Sequence, residues 1–241
     1  MCNISLGTSG TIFISSDHFG VDQNNALHSF AHADGHYHLM GCMLSAASCN
    51  KWWMDEIIGT KDYAAEQAQI EKLGENHVYF LPYLMGERTP HLDPNARGVF
   101  FGLSAMHTKR DMLRAVLEGV TYSLRDCIEV FREMGISVDD MMACGGGGTS
   151  PLWRSMLADL YNCPVKTVAS KEGPSLGVAI LASVGAGIYS SVPEACDAIV
   201  KTDKTQTPQE ENVPVYESYY QLYREIYPAL KAQFTTLAGL Q

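Results

Sequence analysis

Short alternating runs of apolar and polar residues open the chain. Residues 3–6 and 11–15 (Thr11-Ile12-Phe13-Ile14-Ser15) read as two strands, joined by Gly7-Thr8-Ser9-Gly10 as a hairpin turn with glycine at each end. Extended segments follow around residues 27–32 and 36–40. Residues 43–58 place Leu44, Ala47, Trp52, Ile57 and Ile58 on one helical face, and 62–73 read as a second helix on the surface. His77-Val78-Tyr79-Phe80-Leu81, stopped by Pro82, and residues 97–102 are strands of the buried type. The clearest helix runs from Lys109 to Met134. There Leu113, Val116, Leu117, Val120, Leu124, Ile128 and Phe131 recur at three- and four-residue spacing. A strand over 140–144 leads through four consecutive glycines, Gly145 to Gly148, into a helix over 151–161. That helix starts with a capping hydroxyl at Thr149 or Ser150 and a proline, Pro151, in its first position. A strand over 165–168, a small-residue helix over 174–186, a polar proline-bearing loop over 201–214 and a tyrosine-rich helix over 215–235 complete the pattern. Strands first, then alternating β and α, predict one α/β domain with a central mixed sheet flanked by helices.

Composition narrows the chemistry. The chain has 241 residues, 46% hydrophobic and 18% charged, enough apolar material for a sizeable core. A net charge of −10 argues against a nucleic-acid backbone or an anionic membrane as partner, but not against a nucleotide held by backbone dipoles. Seven cysteines, an odd number without C-x-x-C spacing, mostly lie in apolar stretches, as expected of small core residues in a reducing cytoplasm. No apolar run approaches the roughly 18 residues of a membrane span. The first residues lack the basic head and apolar stretch of a signal peptide and begin directly on a strand.

Several groups carry candidate chemistry. Backbone without Cβ atoms can approach a ligand closely, so both the Gly145–Gly148 run and the Gly7–Gly10 turn suit a nucleotide or a phosphate; both also suit plain turns. The latter is not a P-loop, because its lysine and its following helix are missing. His28, His32, His36 and His38 straddle a turn with no cysteine or carboxylate cluster, so surface strand histidines outweigh a zinc site. Arg88, within Gly86-Glu87-Arg88-Thr89-Pro90-His91, could hold a phosphate or tie down its loop through Glu87 or Asp93, the loop role being favoured. Cys49 has no histidine partner in sequence and does not suggest a thiol nucleophile.

Taken together, the segments resemble the C-terminal half of a carbohydrate kinase of the FGGY family, most closely its xylulokinases. The likeness rests on Ser5–Gly10, His38–Met40, Met43–Cys49, Phe80–Pro90, Gly98–Leu103, Arg114–Gly119, Gly145–Gly147, Trp153–Asp159 and Gly173–Gly177, in the family's order along nearly the whole chain. It implies an actin-like, ribonuclease-H-like fold that holds MgATP in a cleft between two domains, residues 1–241 being the C-terminal, ATP-binding one. By position, Gly7, Thr8, Ser9 and Gly10 would face the phosphates, with Thr8 in contact. Gly145, Gly146 and Gly147 would pack on the adenosine, Ser150 would lie nearby, and Ala47 and Lys51 would flank the nucleotide. The cofactors implied are ATP and Mg²⁺, and the reaction is transfer of the γ-phosphoryl to a hydroxyl of D-xylulose or a related sugar. In the family the general base is an aspartate upstream of the first strand, so no catalytic residue is expected here and the chain alone is expected to be inactive. The sugar would bind only with the missing N-terminal domain. Assembly as a homodimer stays open, as does a different role, an actin-like nucleotide-binding interaction module.

Overall fold

The computed structural model describes residues 2–70, 77–170 and 173–240. Its strands are β1 (Cys2–Leu6), β2 (Gly10–Ser16), β3 (His28–Ala31), β4 (Tyr37–Met43), β5 (Tyr79–Leu81), β6 (Val99–Phe101), β7 (Met141–Cys144), β8 (Val165–Val168) and β9 (Thr202–Gln206). Its α-helices are α1 (Ala47–Trp52), α2 (Tyr63–Gln67), α3 (Lys109–Glu133), α4 (Gly145–Gly148), α5 (Pro151–Tyr161), α6 (Gly173–Gly185), α7 (Val192–Ile199) and α8 (Val213–Ala238).

Seven strands form one mixed sheet in the order β3-β4-β2-β1-β7-β8-β9. β1 pairs antiparallel with β2 and parallel with β7, so the first hairpin and the glycine run leave the sheet side by side at its centre. β1 alternates buried and half-buried residues (Cys2, Ile4 and Leu6 inward), the signature of a strand with one face on the core. β5 and β6 form a separate two-stranded sheet.

Helix α3 organises the core. A capping box at Thr108 and Asp111 fixes its start, and its apolar stripe from Leu113 to Phe131 is wholly buried. It packs against β2, β4, β5, α1 and α5. Unlike an ordinary amphipathic helix, its polar face is buried too, because α8 covers it with a row of tyrosines at three- and four-residue spacing. Tyr216 donates to Glu118 Oε1 at 3.0 Å and Tyr220 to Asp126 Oδ1 at 2.6 Å. Burial pushes both carboxyls up to about 7.

Three expectations change, and one element is new. The helix expected over 43–58 begins at Ala47 and its last turn, Trp53–Ile58, widens to a π-helix ended by Gly59 in the left-handed region. The glycine run is a single helical turn, α4, and not an open loop. The polar loop over 201–214 contains β9, an edge strand whose exposed Thr-Asp-Lys-Thr-Gln sequence gives no apolar alternation. Helix α7 goes unforeseen, although Ser191 caps it by accepting from Glu194 N. Of the helix expected over 62–73, residues 71–73 lie outside the described residues. Among the described residues no helix is long and apolar enough to cross a membrane.

Candidate functional site

The turn between β1 and β2 is bolted to the start of α1. Ala46 N donates to Thr8 O at 3.0 Å, Ala47 N to Gly7 O at 2.8 Å, and Ser48 Oγ to Thr8 O at 2.7 Å. The N–H groups of Thr8 and Ser9 donate to no protein group among the described residues, and both residues are exposed. A pair of free amides in a rigid turn is a cradle for anionic oxygens.

One strand away, α4 starts on Gly145, whose φ of +79° is one that side chains avoid; a Cβ there would sit 2.7 Å from Leu6 O. A Cβ at Gly147 would come within 2.8 Å of both Leu6 Cβ and the Trp153 ring. Gly146 differs, because a Cβ there meets nothing within 4 Å. The run is therefore glycine for two reasons: Gly145 and Gly147 let the turn seat on β1, and Gly146 leaves a bare wall. Helix α5 begins at once, with Ser150 Oγ accepting from Trp153 N. Arg154 Nη1 donates to Gly148 O and Thr149 O, both at 2.8 Å, and fixes the turn from below.

Turn, α1, α4 and the start of α5 enclose a cavity of about 980 Å³. Of the residues expected at a nucleotide, Gly7, Thr8, Ala47, Lys51, Gly146, Gly147 and Ser150 line it. Ser9, Gly10 and Gly145 do not: Ser9 is exposed outside the lining, Gly10 is buried against Met43 and Ala46, and Gly145 backs onto Leu6. Lys51, a cation on the cavity wall, is paired with Asp55 one helical turn on. That bond raises the lysine's pKa and lowers the aspartate's.

Sequence reasoning missed the opposite wall. Tyr63, Ala64, Gln67, Ala68 and Ile70 face the glycines, and Gln67 Oε1 accepts from Ser150 Oγ at 2.7 Å across the cavity. The short helix expected to be mere surface is this wall. Its small and polar residues carry no signal by themselves. Asn50, between Cys49 and Lys51, was missed as well.

The remaining candidates fall away from the cavity. Glu87 Oε1 accepts from Leu44 N and from Arg88's own backbone N, while its Oε2 accepts from Ser123 Oγ at 3.3 Å. Burial pushes its carboxyl up to about 8. Thus Glu87, and not the exposed Arg88 side chain, ties down this loop. Cys49 is buried, donates to Ser45 O and Pro82 O, and has its thiol pKa raised by burial. His32 and His36 flank Asp34, and among the described residues no three His, Cys, Asp or Glu side chains converge as a metal site. The cavity lining contains no carboxylate among the described residues, so it does not by itself fit Mg²⁺.

The chain is similar to known proteins over most of its length. Residues 2–186 match the model of the FGGY family of carbohydrate kinases, C-terminal domain. The xylulose kinase of Staphylococcus epidermidis is 37% identical over 230 residues, which cover 94% of this chain and 46% of that protein. The Escherichia coli xylulose kinase is 38% identical over 231 residues, 94% of this chain and 47% of its own. The crystal structure of ligand-bound xylulose kinase from Lactobacillus acidophilus superposes with a TM-score of 0.89 at 29% identity, covering 98% of this chain and 48% of that one. The chain thus spans about half the length of the curated relatives it matches. Its mixed sheet and flanking helices are the actin-like fold of these kinases. The chain belongs to the FGGY family of carbohydrate kinases.

Proposed function

We propose that this chain is the nucleotide-binding half of a sugar kinase that transfers the γ-phosphoryl of ATP to a hydroxyl of D-xylulose or a related sugar. The observation that carries it is the cavity that joins the Thr8 end of the turn, with its free amide, to the bare wall at Gly146. That amide suits phosphate oxygens, and the mostly apolar lining of Leu6, Ala47, Leu152 and Trp153 suits the adenosine. Residues 1–241 would then act as the C-terminal domain, and the sugar site and general base would come from a further domain. Phosphoryl transfer rests on positioning, charge stabilisation and a base for the attacking hydroxyl; this chain's share is the first. MgATP brings the transferable group and its neutralising metal.

Gly146 allows a direct test, because a side chain there enters the cavity without striking the protein. ADP should bind the wild type in calorimetry, and Gly146→Val should weaken it by about tenfold or more with an unchanged melting temperature. Equal affinities would overturn the assignment.

A further inference from the structure

A second cavity, of about 260 Å³, lies between the loop that follows β5, the later turns of α3 and the middle of α8. It shares no lining residue with the first. Asp126 lines it and is only 7% exposed. Its Oδ1 accepts from Tyr220 Oη, but its Oδ2 accepts no hydrogen bond among the described residues and is not sealed off by protein. His91 Nε2 stands 3.9 Å from Oδ2, out of reach, and pairs with Tyr83 Oη at 3.1 Å. Burial pulls the His91 pKa down to about 4, so at neutral pH its ring brings the carboxylate no charge. Arg125, the neighbouring cation on α3, is paired with Glu129 and Glu217.

The walls are aromatic and hold one another in place. Tyr227 stacks on His91 with ring centroids 3.8 Å apart, and Tyr83 stands at 89° to the first and 78° to the second. Their hydroxyls are committed inside the protein: Tyr83 Oη to His91 and Tyr223, Tyr227 Oη to Asp93 Oδ2 at 2.8 Å. The cavity therefore presents ring surface around one carboxylate oxygen that lacks a donor. A polyol would find few open partners there, and a phosphate would meet like charge. A cation with an N–H answers both features, since aromatic rings attract it and Oδ2 accepts from it. The exposed part of the lining adds one acid, Glu133, and one base, Arg224, which suits a single positive charge better than a polyamine.

We infer that this cavity binds a small primary amine, its ammonium group donating to Asp126 Oδ2 and its apolar stem lying against the tyrosine rings. The inference does not depend on the nucleotide reading. Three probes of similar body, butylammonium, butanol and butyltrimethylammonium, are titrated by NMR into the isotope-labelled 241-residue chain. The titration is run at about pH 8, above the value of about 7 to which burial raises Asp126, so that the carboxyl is ionised. Backbone N–H signals of Asn24, Glu129 and Arg224 should shift saturably with butylammonium, at an affinity about tenfold or more above that of the alcohol. The trimethyl analogue keeps the charge but cannot donate, and should also bind more weakly than butylammonium. Asp126→Asn should bring amine and alcohol to similar affinities, while Glu133→Gln should keep the preference. Equal binding of the three probes by the wild type overturns the inference, and this comparison decides the matter if the asparagine variant does not fold. So does a preference that survives Asp126→Asn, or one that Glu133→Gln alone removes, since the outer acid would then hold the amine.

Discussion

At the scale of single residues, the four glycines are not equivalent, and their differences are measurable. Gly147→Ala must push Leu6 or the Trp153 ring aside from a 2.8 Å approach, an overpacking expected to cost about 1–3 kcal/mol in urea unfolding. Gly146→Ala meets nothing and should leave stability within about 1 kcal/mol. Equal losses at the two positions would contradict the geometry. Glu87 supplies a pH dependence. Its folded carboxyl sits at about 8 against an ordinary 4.5, so between those values the folded chain keeps a proton that the unfolded chain has released. Its contribution is complete below pH 4.5 and is lost as the pH rises through about 8. Glu87→Gln keeps an acceptor for Leu44 N and gains a donor for Ser123, so its unfolding free energy should fall less than the wild type's over that window. A parallel pH profile would show that Glu87 is not the titrating group. The glycine run was legible in the sequence because glycine has few other reasons to repeat. The division of labour within it was not, since it depends on Leu6 and Trp153, far away along the chain.

At the scale of elements, periodicity found α3, whose apolar face repeats over several turns, the capping hydroxyl and proline after the glycine run found α5, and short extended runs with glycines at the loop ends found the β1–β2 hairpin. Periodicity could not find the role of α2, five residues long, because a cavity wall needs shape and not hydrophobicity. Nor could it find β9, which joins the sheet only through its backbone. The tyrosines of α8 illustrate both sides. Their abundance was plain in the sequence, but their purpose appears only when α3 brings Glu118 and Asp126 beneath them. Tyr220→Phe leaves Asp126 Oδ1 without its 2.6 Å donor at a buried site. It should destabilise the fold by about 1–3 kcal/mol in urea unfolding, whereas the exposed Tyr37→Phe should change little. A Tyr220→Phe variant as stable as the wild type would mean that the helix pair is held by packing alone.

At the scale of the whole molecule, binding and turnover are expected to separate. Transfer to a sugar hydroxyl needs a group that takes its proton close to the γ-phosphoryl. The carboxyls whose pKa burial raises most, Glu87, Glu118 and Asp126, are buried around α3 and none lines the cavity. They are engaged with Ser123, Tyr216 and Tyr220 and cannot reach a substrate in it without unpacking the core. The cavity lining carries no carboxylate among the described residues, and its lysine is tied to Asp55. The purified 241-residue chain, given MgATP and D-xylulose, should therefore bind nucleotide yet show no turnover near the roughly 1–100 per second of a working kinase. Adding the N-terminal half of a xylulose kinase should restore phosphorylation, and the restored rate should be lost with Gly146→Val. Turnover by the chain alone would overturn this separation and would require a base among residues that the cavity, as folded, does not present.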